Sequence, residues 1–394
     1  MKHTAVIAAA ALCGGLVSAQ PVVRMGAIGD SLSDEYLEQN YGAYAMSWTE
    51  ILNDLRSIDF GPTAADAGVG NWGEPRREGF QDNWARFGDT INVDDSDSTS
   101  ALTRGQHTGL ADGIVNRGVS HAVIYIGGND LSPFHGPYAS VYNGNWTMQQ
   151  IEDYVDDRID GLETILDTVD TGGVKILLAN AFDFGDMPRV ERDFPDDSGR
   201  ALASALYDRF DVRVREVAEQ RGLPLADMLS LNRAIFGTAG AETSSLVVGG
   251  ISFDVNNGSG NRRTDMFVND DVHPRTVLQG IWANLFITGL NAAYNTGITP
   301  LTETEILSVN LQSPTGPDAL ESQIGSLDTY IILPTTPPTA CLADVNNDGV
   351  ATPADFTSWV AAFNSQGPKC DQNGDGLCNP QDFTAWVMNY NMGC

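Results

Sequence analysis

Three short motifs in this 394-residue chain supply the residue types that ester hydrolysis requires. Gly29-Asp30-Ser31-Leu32 offers a hydroxyl. Gly127-Gly128-Asn129-Asp130 offers a side-chain amide donor, and Asp270-Asp271-Val272-His273-Pro274 offers an imidazole with a carboxylate on the same loop. A serine hydroxyl becomes a nucleophile when a base takes its proton, and the oxyanion formed in the attack needs donors aimed at it. His273 is the candidate base for Ser31, and Asn129 a candidate oxyanion donor. Asp270 can hold the other ring nitrogen of His273, with Asp271 its rival. Asp30 and Asp130 read as acceptors for loop N–H groups rather than as reacting groups. Each motif has a bland reading: a serine after a strand is often a helix cap, and a histidine beside proline is often structural. The order, the spacing and the strand-end placement of all three carry the signal. His107, His121 and His135 are scattered and form no metal-ligand spacing.

The elements that must position these residues alternate between strand and helix. Apolar runs at 22–28, 121–126, 174–180 and 223–228 read as strands. Amphipathic stretches at 148–169 and 199–221 read as helices, as does 276–295, with Pro274 just ahead of its start. The alternation predicts an α/β domain with a parallel sheet and helices on both faces. In such a sheet Ser31 follows the first strand and Asn129 the second, so both emerge at the carboxyl edge, where open α/β folds bind ligands. Residues 61–112 and 229–269 break the alternation. The second contains an expected hairpin, 246–255 turning at Asn256-Asn257-Gly258 into 262–268. The aromatic run from Phe134 through Tyr142 to Trp146 follows the Asn129 loop. It reads equally as a substrate-facing surface or as packed loop core. The Gly-x-Ser-x-Gly elbow of α/β-hydrolases is absent around Ser31.

Composition places the protein. Lys2 and His3, the apolar stretch 5–17 and Val17-Ser18-Ala19 read as a secretory signal spanning 1–19, with the mature chain starting at Gln20. The stretch is too short to span a membrane, so no membrane span is expected, and bulky Leu12 argues against Cys13 as a lipid anchor. A formal charge of −30 argues against nucleic acid and anionic membrane surfaces as partners. A hydrolytic domain is expected over 20–298. A cap segment and a stiff Pro/Thr linker follow over 299–340, and a separate small helical domain over 341–394.

That last segment is an internal repeat with a 27-residue offset, Asp344 to Asp371. Calcium loops place oxygen ligands at positions 1, 3, 5, 7, 9 and 12 with glycine at 6. The first copy supplies Asp344, Asn346, Asp348, the Val350 carbonyl, Thr352 and Asp355, with Gly349 at the turn. The second supplies Asp371, Asn373, Asp375, the Leu377 carbonyl, Asn379 and Asp382, with Gly376. Phe356, Trp359, Phe363 and Phe383, Trp386, Tyr390 recur at helical spacing, which argues against a merely solvated acidic tail.

Residues 22–297 resemble the SGNH, or GDSL-type, hydrolase superfamily. The resemblance implies a three-layer flavodoxin-like fold and metal-free hydrolysis of acyl esters. It makes Ser31 the nucleophile and a backbone oxyanion donor, makes Asn129 a further donor, and settles Asp270 over Asp271. It also implies a loop glycine donor, for which Gly88 is the best match and Gly68 or Gly70 the alternatives. Residues 341–394 resemble a dockerin-type module, which implies two structural Ca²⁺ ions and a cohesin-like or cell-surface partner. Pro353-Ala354 and Pro380-Gln381 stand where cellulosomal dockerins carry hydroxyl pairs, which counts against cohesin binding. Four cysteines allow three pairings. Cys341 and Cys394 flank the module and would join its ends, while Cys370 and Cys378 bracket the second loop. Together these features describe a secreted or cell-surface serine esterase acting on acylated, chiefly acetylated, polysaccharide. A lipase or general short-chain esterase is the alternative. A non-catalytic scaffold protein assembled through the tail is the alternative of another class.

Overall fold

The structure, a computed structural model, describes residues 21–22, 24–36, 41, 44–92, 99–171, 173–256, 258, 261–335, 342–346, 351–373 and 377–392. Residues 1–19, read as a secretory signal, lie outside them, as do Cys341 and Cys394 and the candidate calcium-loop positions Asp348, Gly349, Val350, Asp375 and Gly376.

Four short apolar segments form parallel strands: β1 (Met25–Gly29), β2 (His121–Tyr125), β3 (Lys175–Ala179) and β4 (Leu225–Ala226), hydrogen-bonded in that order. β1 and β2 are buried at every position. A strand buried on both faces must be covered by helices on both sides, and two separate helix groups do this. On one side α1 (Trp48–Arg56) packs on α6 (Thr276–Tyr294). On the other α2 (Gln106–Arg117), α3 (Met148–Val169) and α4 (Asp197–Arg221) pack in succession. α3 begins where Thr147 and Gln150 form a capping box, and α4 ends at Gly222 in the left-handed conformation. α6 is buried from Thr276 to Ile287 and again at Gly289 and Leu290, so its apolar residues run round most of its circumference over that length.

The sheet has one edge that the alternation pattern did not reveal. Residues 299–333, read as a cap beyond the hydrolytic domain, belong to its core. Leu301, Ile306, Leu307, Leu320 and Ile324 join the same buried cluster, and Ile331–Ile332 (β7) adds an antiparallel strand beside β4. Two residues are too short to register as periodicity. On the opposite edge the chain reaches β1 only as a bridge. The Ala27 N–H donates to the Asp82 carbonyl at 3.1 Å and the Trp84 N–H to the Ala27 carbonyl at 2.8 Å. The order is therefore flavodoxin-like, with its second strand reduced to one contact.

The expected hairpin forms elsewhere. β5 (Ser245–Val248) pairs with β6 (Ile251–Asp254) and turns at Gly249-Gly250, not at 256–258. Both glycines have positive φ, +54° and +80°, the conformation a two-residue hairpin turn demands. The Gly-Gly pair outcompetes the Asn-Asn-Gly signal because it supplies both positions without steric cost.

The tail builds a second, small core. α8 (Pro353–Ser365) and α9 (Pro380–Met392) pack around Val345, Trp359 and Trp386, with Phe363 and Tyr390 against them. The two repeats interlock. Trp359 Nε1–H donates to the Cys370 carbonyl before the second loop, and Trp386 Nε1–H to the Ala343 carbonyl before the first, both at 3.2 Å. Cys370 and Cys378 are disulfide-bonded.

Candidate active site

The parallel register sets Gly29 beside Tyr125, so the loops after β1 and β2 leave the same edge of the sheet. Gly29 must be glycine: a Cβ there would stand 2.7 Å from the Tyr125 carbonyl. Ser31 follows in a tight turn in which Asp30 Oδ1 accepts the Leu32 N–H at 2.9 Å. The last loop, before α6, brings His273 across. Its Nε2 lies 2.8 Å from Ser31 Oγ, and its Nδ1 lies 2.6 Å from Asp270 Oδ2. Asp270 Oδ1 accepts the N–H groups of Val272 and His273 at 2.9 and 3.0 Å, which fixes the carboxylate in the ring plane's reach. Burial pushes Asp270 up. The His273 hydrogen bond and charge, with the two backbone donors, outweigh burial and hold it below the ordinary carboxylate range. An ionised Asp270 accepts a hydrogen bond from the Nδ1–H, which keeps the proton on Nδ1 and leaves the Nε2 lone pair toward Ser31.

Asp271, the rival, points elsewhere. It adopts φ +60°, accepts the Gly258 N–H at 2.7 Å and pairs with Arg192 at 2.9 Å. Its role is to hold the loop's turn. Asp30 and Asp130 are fully buried acceptors; Asp130 receives the Ile91 N–H, with Arg158 3.6 Å away.

Ser31, Gly88 and Asn129 line one cavity of ≈ 260 Å³. Asn129 Nδ2 donates one hydrogen to the Asp89 carbonyl at 3.0 Å, and an amide has a second to give. Among the described residues neither the Ser31 nor the Gly88 backbone N–H has a hydrogen-bond acceptor. Gly88 has φ +77°, a conformation that favours glycine. Gly68 and Gly70 are exposed and do not line the cavity. Leu32, Phe87, Phe134, Phe184, Met187 and Val272 make the cavity apolar.

The aromatic run divides between its two readings. Phe134 and His135 face the cavity. Tyr138 and Tyr142 pack edge-on against Phe194, and Trp146 against Tyr154.

Several residues that no motif announces hold this geometry. Gln106 brackets the peptide of Gly29, its Oε1 accepting the N–H at 3.1 Å and its Nε2 donating to the carbonyl at 3.0 Å and to Asp89 at 2.8 Å. Asp34 pairs with Arg86 at 3.1 Å and accepts the Phe87 N–H at 2.9 Å, tying the Gly88 loop to the Ser31 loop. Asn83 donates to the Ser33 carbonyl at 2.8 Å. Tyr41 and Phe87 lie nearly parallel to the His273 ring, at 4.9 and 5.7 Å, and the Tyr41 hydroxyl is 3.1 Å from Nδ1. A polar residue at the start of a helix carries no distinguishing spacing, so only tertiary contact reveals these.

In the tail, the two candidate calcium loops are closed alike. Asp355 accepts the N–H groups of Asn346 and Thr352 at 3.0 and 2.8 Å, and Asp382 those of Gln372 and Asn379 at 2.9 and 2.8 Å. Each closing carboxylate thus draws Asp344–Asn346 or Asp371–Asn373 against the start of the following helix. Among the described residues no three His, Cys, Asp or Glu side chains gather as a metal site. The described side chains at the loop positions, Asp344, Asn346, Thr352 and Asp355 with Asp371, Asn373, Asn379 and Asp382, nevertheless all carry oxygen, the donor type a hard cation such as Ca²⁺ takes. Thr352 and Asn379 also cap their helices, accepting the Ala354 and Gln381 N–H groups at 3.2 and 2.8 Å.

Comparison with known proteins places the larger domain. The model of the GDSL-like Lipase/Acylhydrolase family matches residues 25–286, more than half of the chain. Among solved structures, an extracellular lipase from Streptomyces rimosus is 16% identical, covering 56% of this chain and 86% of that one at a TM-score of 0.37. A structure of TesA is 17% identical, covering 66% of this chain and 93% of that one at a TM-score of 0.32. No curated protein matches.

Proposed function

This chain belongs to the GDSL-like lipase/acylhydrolase family and is an ester-hydrolysing enzyme, and on that premise we propose that Ser31, His273 and Asp270 are its catalytic triad. The observation that carries the reading is the unbroken chain from Ser31 Oγ to His273 Nε2 at 2.8 Å and from Nδ1 to Asp270 at 2.6 Å. His273 takes the Ser31 proton as Oγ attacks the ester carbonyl, and Asp270 stabilises the imidazolium that forms. The Ser31 and Gly88 N–H groups and Asn129 Nδ2 receive the oxyanion. His273 then protonates the departing alcohol, and water, activated by the same imidazole, releases the acid and restores Ser31. None of these steps calls on a metal.

The substrate proposed is an acyl ester, chiefly acetyl, on a polysaccharide. The domains proposed are a signal segment over 1–19, a hydrolase domain continued to β7 (Ile331–Ile332), a Pro/Thr linker, and a dockerin-like tail over 341–394. That tail would hold two Ca²⁺ through Asp344, Asn346, Thr352, Asp355 and Asp371, Asn373, Asn379, Asp382, with Asp348, Asp375 and the Val350 and Leu377 carbonyls completing the sets. The ions would supply charge compensation and loop order, not catalysis. The signal segment and the disulfide support export to the cell surface or beyond. A cohesin-like or surface partner is the tail's proposed role. Among the described residues no helix is long and apolar enough to cross a membrane. The apolar lining of the cavity favours one second reading, a lipase or general short-chain esterase. Acid release from p-nitrophenyl acetate, acetylated xylan and tributyrin by the wild type and Ser31→Ala separates these. Wild-type and variant rates that coincide on every ester would remove Ser31 from the mechanism.

A further inference from the structure

The cavity beside Ser31 accounts for only part of an ester. A second depression, ≈ 590 Å³, adjoins it and is lined by Glu191, Arg192, Asp197, Arg200, Glu242 and Asp271. The two share a wall, the short helix Pro188–Asp193 with Met187 before it. Met187 and Arg189 face the catalytic cavity, while Pro188, Glu191 and Arg192 face the groove. At the far side the Asp270-Asp271 pair does the same, Asp270 turned to His273 and Asp271 to Arg192.

The chemistry of the two compartments is opposite. Apart from Pro188 and Pro195, the groove offers little for an acyl chain, which would lose hydration against carboxylates and guanidinium groups without return. Its charges alternate: Arg200 touches both Asp197 and Glu242, and Arg192 touches Asp271. Carboxylates outnumber arginines along it, which disfavours an anionic ligand. Glu191 sits half-buried among them, pushed up to about 7 by burial against the pull of Arg200, so near neutrality it can both donate and accept. A hydroxyl likewise donates and accepts. We infer that this groove binds the alcohol side of the substrate and that this alcohol is a neutral, polyhydroxylated chain, a glycan, whose acyl group enters the apolar cavity. The inference rests on the proposed esterase reaction and deepens it. Arg192 and Glu191 are the specificity-determining residues, and neither touches the reacting atoms.

The test compares kcat/KM of the full-length enzyme on acetylated xylo-oligosaccharide with that on p-nitrophenyl acetate, which has no glycan to fill the groove. Glu191→Ala and Arg192→Ala are measured separately, because Arg192 also braces Asp271 and Glu191 does not. The ratio of the two kcat/KM values is expected to fall about tenfold or more in each variant, the size of a lost hydrogen bond to a charged partner. The change should appear mainly as a rise in KM for the oligosaccharide. An unchanged ratio in Glu191→Ala overturns the assignment. So does an equal loss on tributyrin, which would give the groove to a lipid alcohol, or a wild type that cleaves the aryl ester but no acetylated glycan. A wild type inactive on both esters is a different failure, that of the esterase reaction itself.

Discussion

The hydrolase domain and the tail solve the same problem at different scales. The hydrolase domain surrounds its sheet with one continuous apolar cluster. It can therefore bury Gln106, Asp34–Arg86 and Asn83 completely and use them to fix the Ser31 and Gly88 loops. Each of these groups is satisfied within the protein, and a satisfied buried network rigidifies what it touches. Among the described residues the tail's apolar cluster is Val345, Trp359 and Trp386, with Ala343 and Cys370 buried besides. Such a small segment cannot offset chain entropy by apolar burial alone. It leans instead on the crossed Trp359 and Trp386 hydrogen bonds, on the Cys370–Cys378 disulfide and on the carboxylate-closed loops. Precise positioning is thus a by-product of a large core, whereas the small module must gain its order from specific local bonds.

The contrast can be broken most severely at Ser31. Ser31→Ala should lower kcat by about a thousandfold or more, since triad members act as a unit, while the thermal transition of the hydrolase domain stays in place. A large drop in that transition would mean that Ser31 is a structural cap and that the loop is not held by its buried brackets.

Trp359→Ala tests the other side. Removing a buried tryptophan costs about 3–5 kcal/mol, which the hydrolase core would survive at one position and the tail would not. Calorimetry of the full chain should lose the tail transition and keep the hydrolase transition, with esterase activity intact. A tail transition that persists would show that the crossed tryptophans are not what joins the repeats.

Calcium should act on one region alone. An ion bound only to the folded tail at 100 times its Kd stabilises it by about 2.7 kcal/mol per site. Chelation should therefore lower the tail transition and leave the hydrolase transition and the turnover of p-nitrophenyl acetate unmoved. Two unmoved transitions would remove calcium from the tail.

The smallest expected effect is a pH slope in the hydrolase domain. Burial pushes Asp30 and Asp130 up to about 7 from an ordinary 3.8. Their contribution to stability is full below the ordinary value and is lost as pH rises through about 7. Asp270, held low, contributes above the ordinary value and loses its share as pH falls through its folded one. Between about pH 5 and about pH 8 Asp270 is ionised in both states and adds no slope, so Asp30 and Asp130 predict a higher melting temperature near about pH 5 than near about pH 8. Asp30→Asn should flatten that difference, and a variant with the wild-type slope would show that Asp30 does not titrate in this range.

The residues of the candidate site could be read from the chain because chemistry restricts residue type: a nucleophile, a base and a carboxylate have few substitutes, and their motifs stand at strand ends. Met148–Val169 could be read to the residue because Thr147 and Gln150 cap it and its apolar period is long. The hairpin closes elsewhere than expected because two turn signals, starting at Gly249 and Asn256, lie seven residues apart, and only pairing decides which one closes a register. Strand β7 was missed because two residues carry no period. The sequence by itself determined which groups could react and which helices would form, since composition, capping and periodicity act locally. The family spacing selects Asp270 over Asp271 and Gly88 over Gly68; tertiary structure alone decided that Asp271 turns away to Gly258 and Arg192 and that Gln106 clamps Gly29. Those outcomes depend on where segments distant in the chain come to rest, and local spacing holds no record of that.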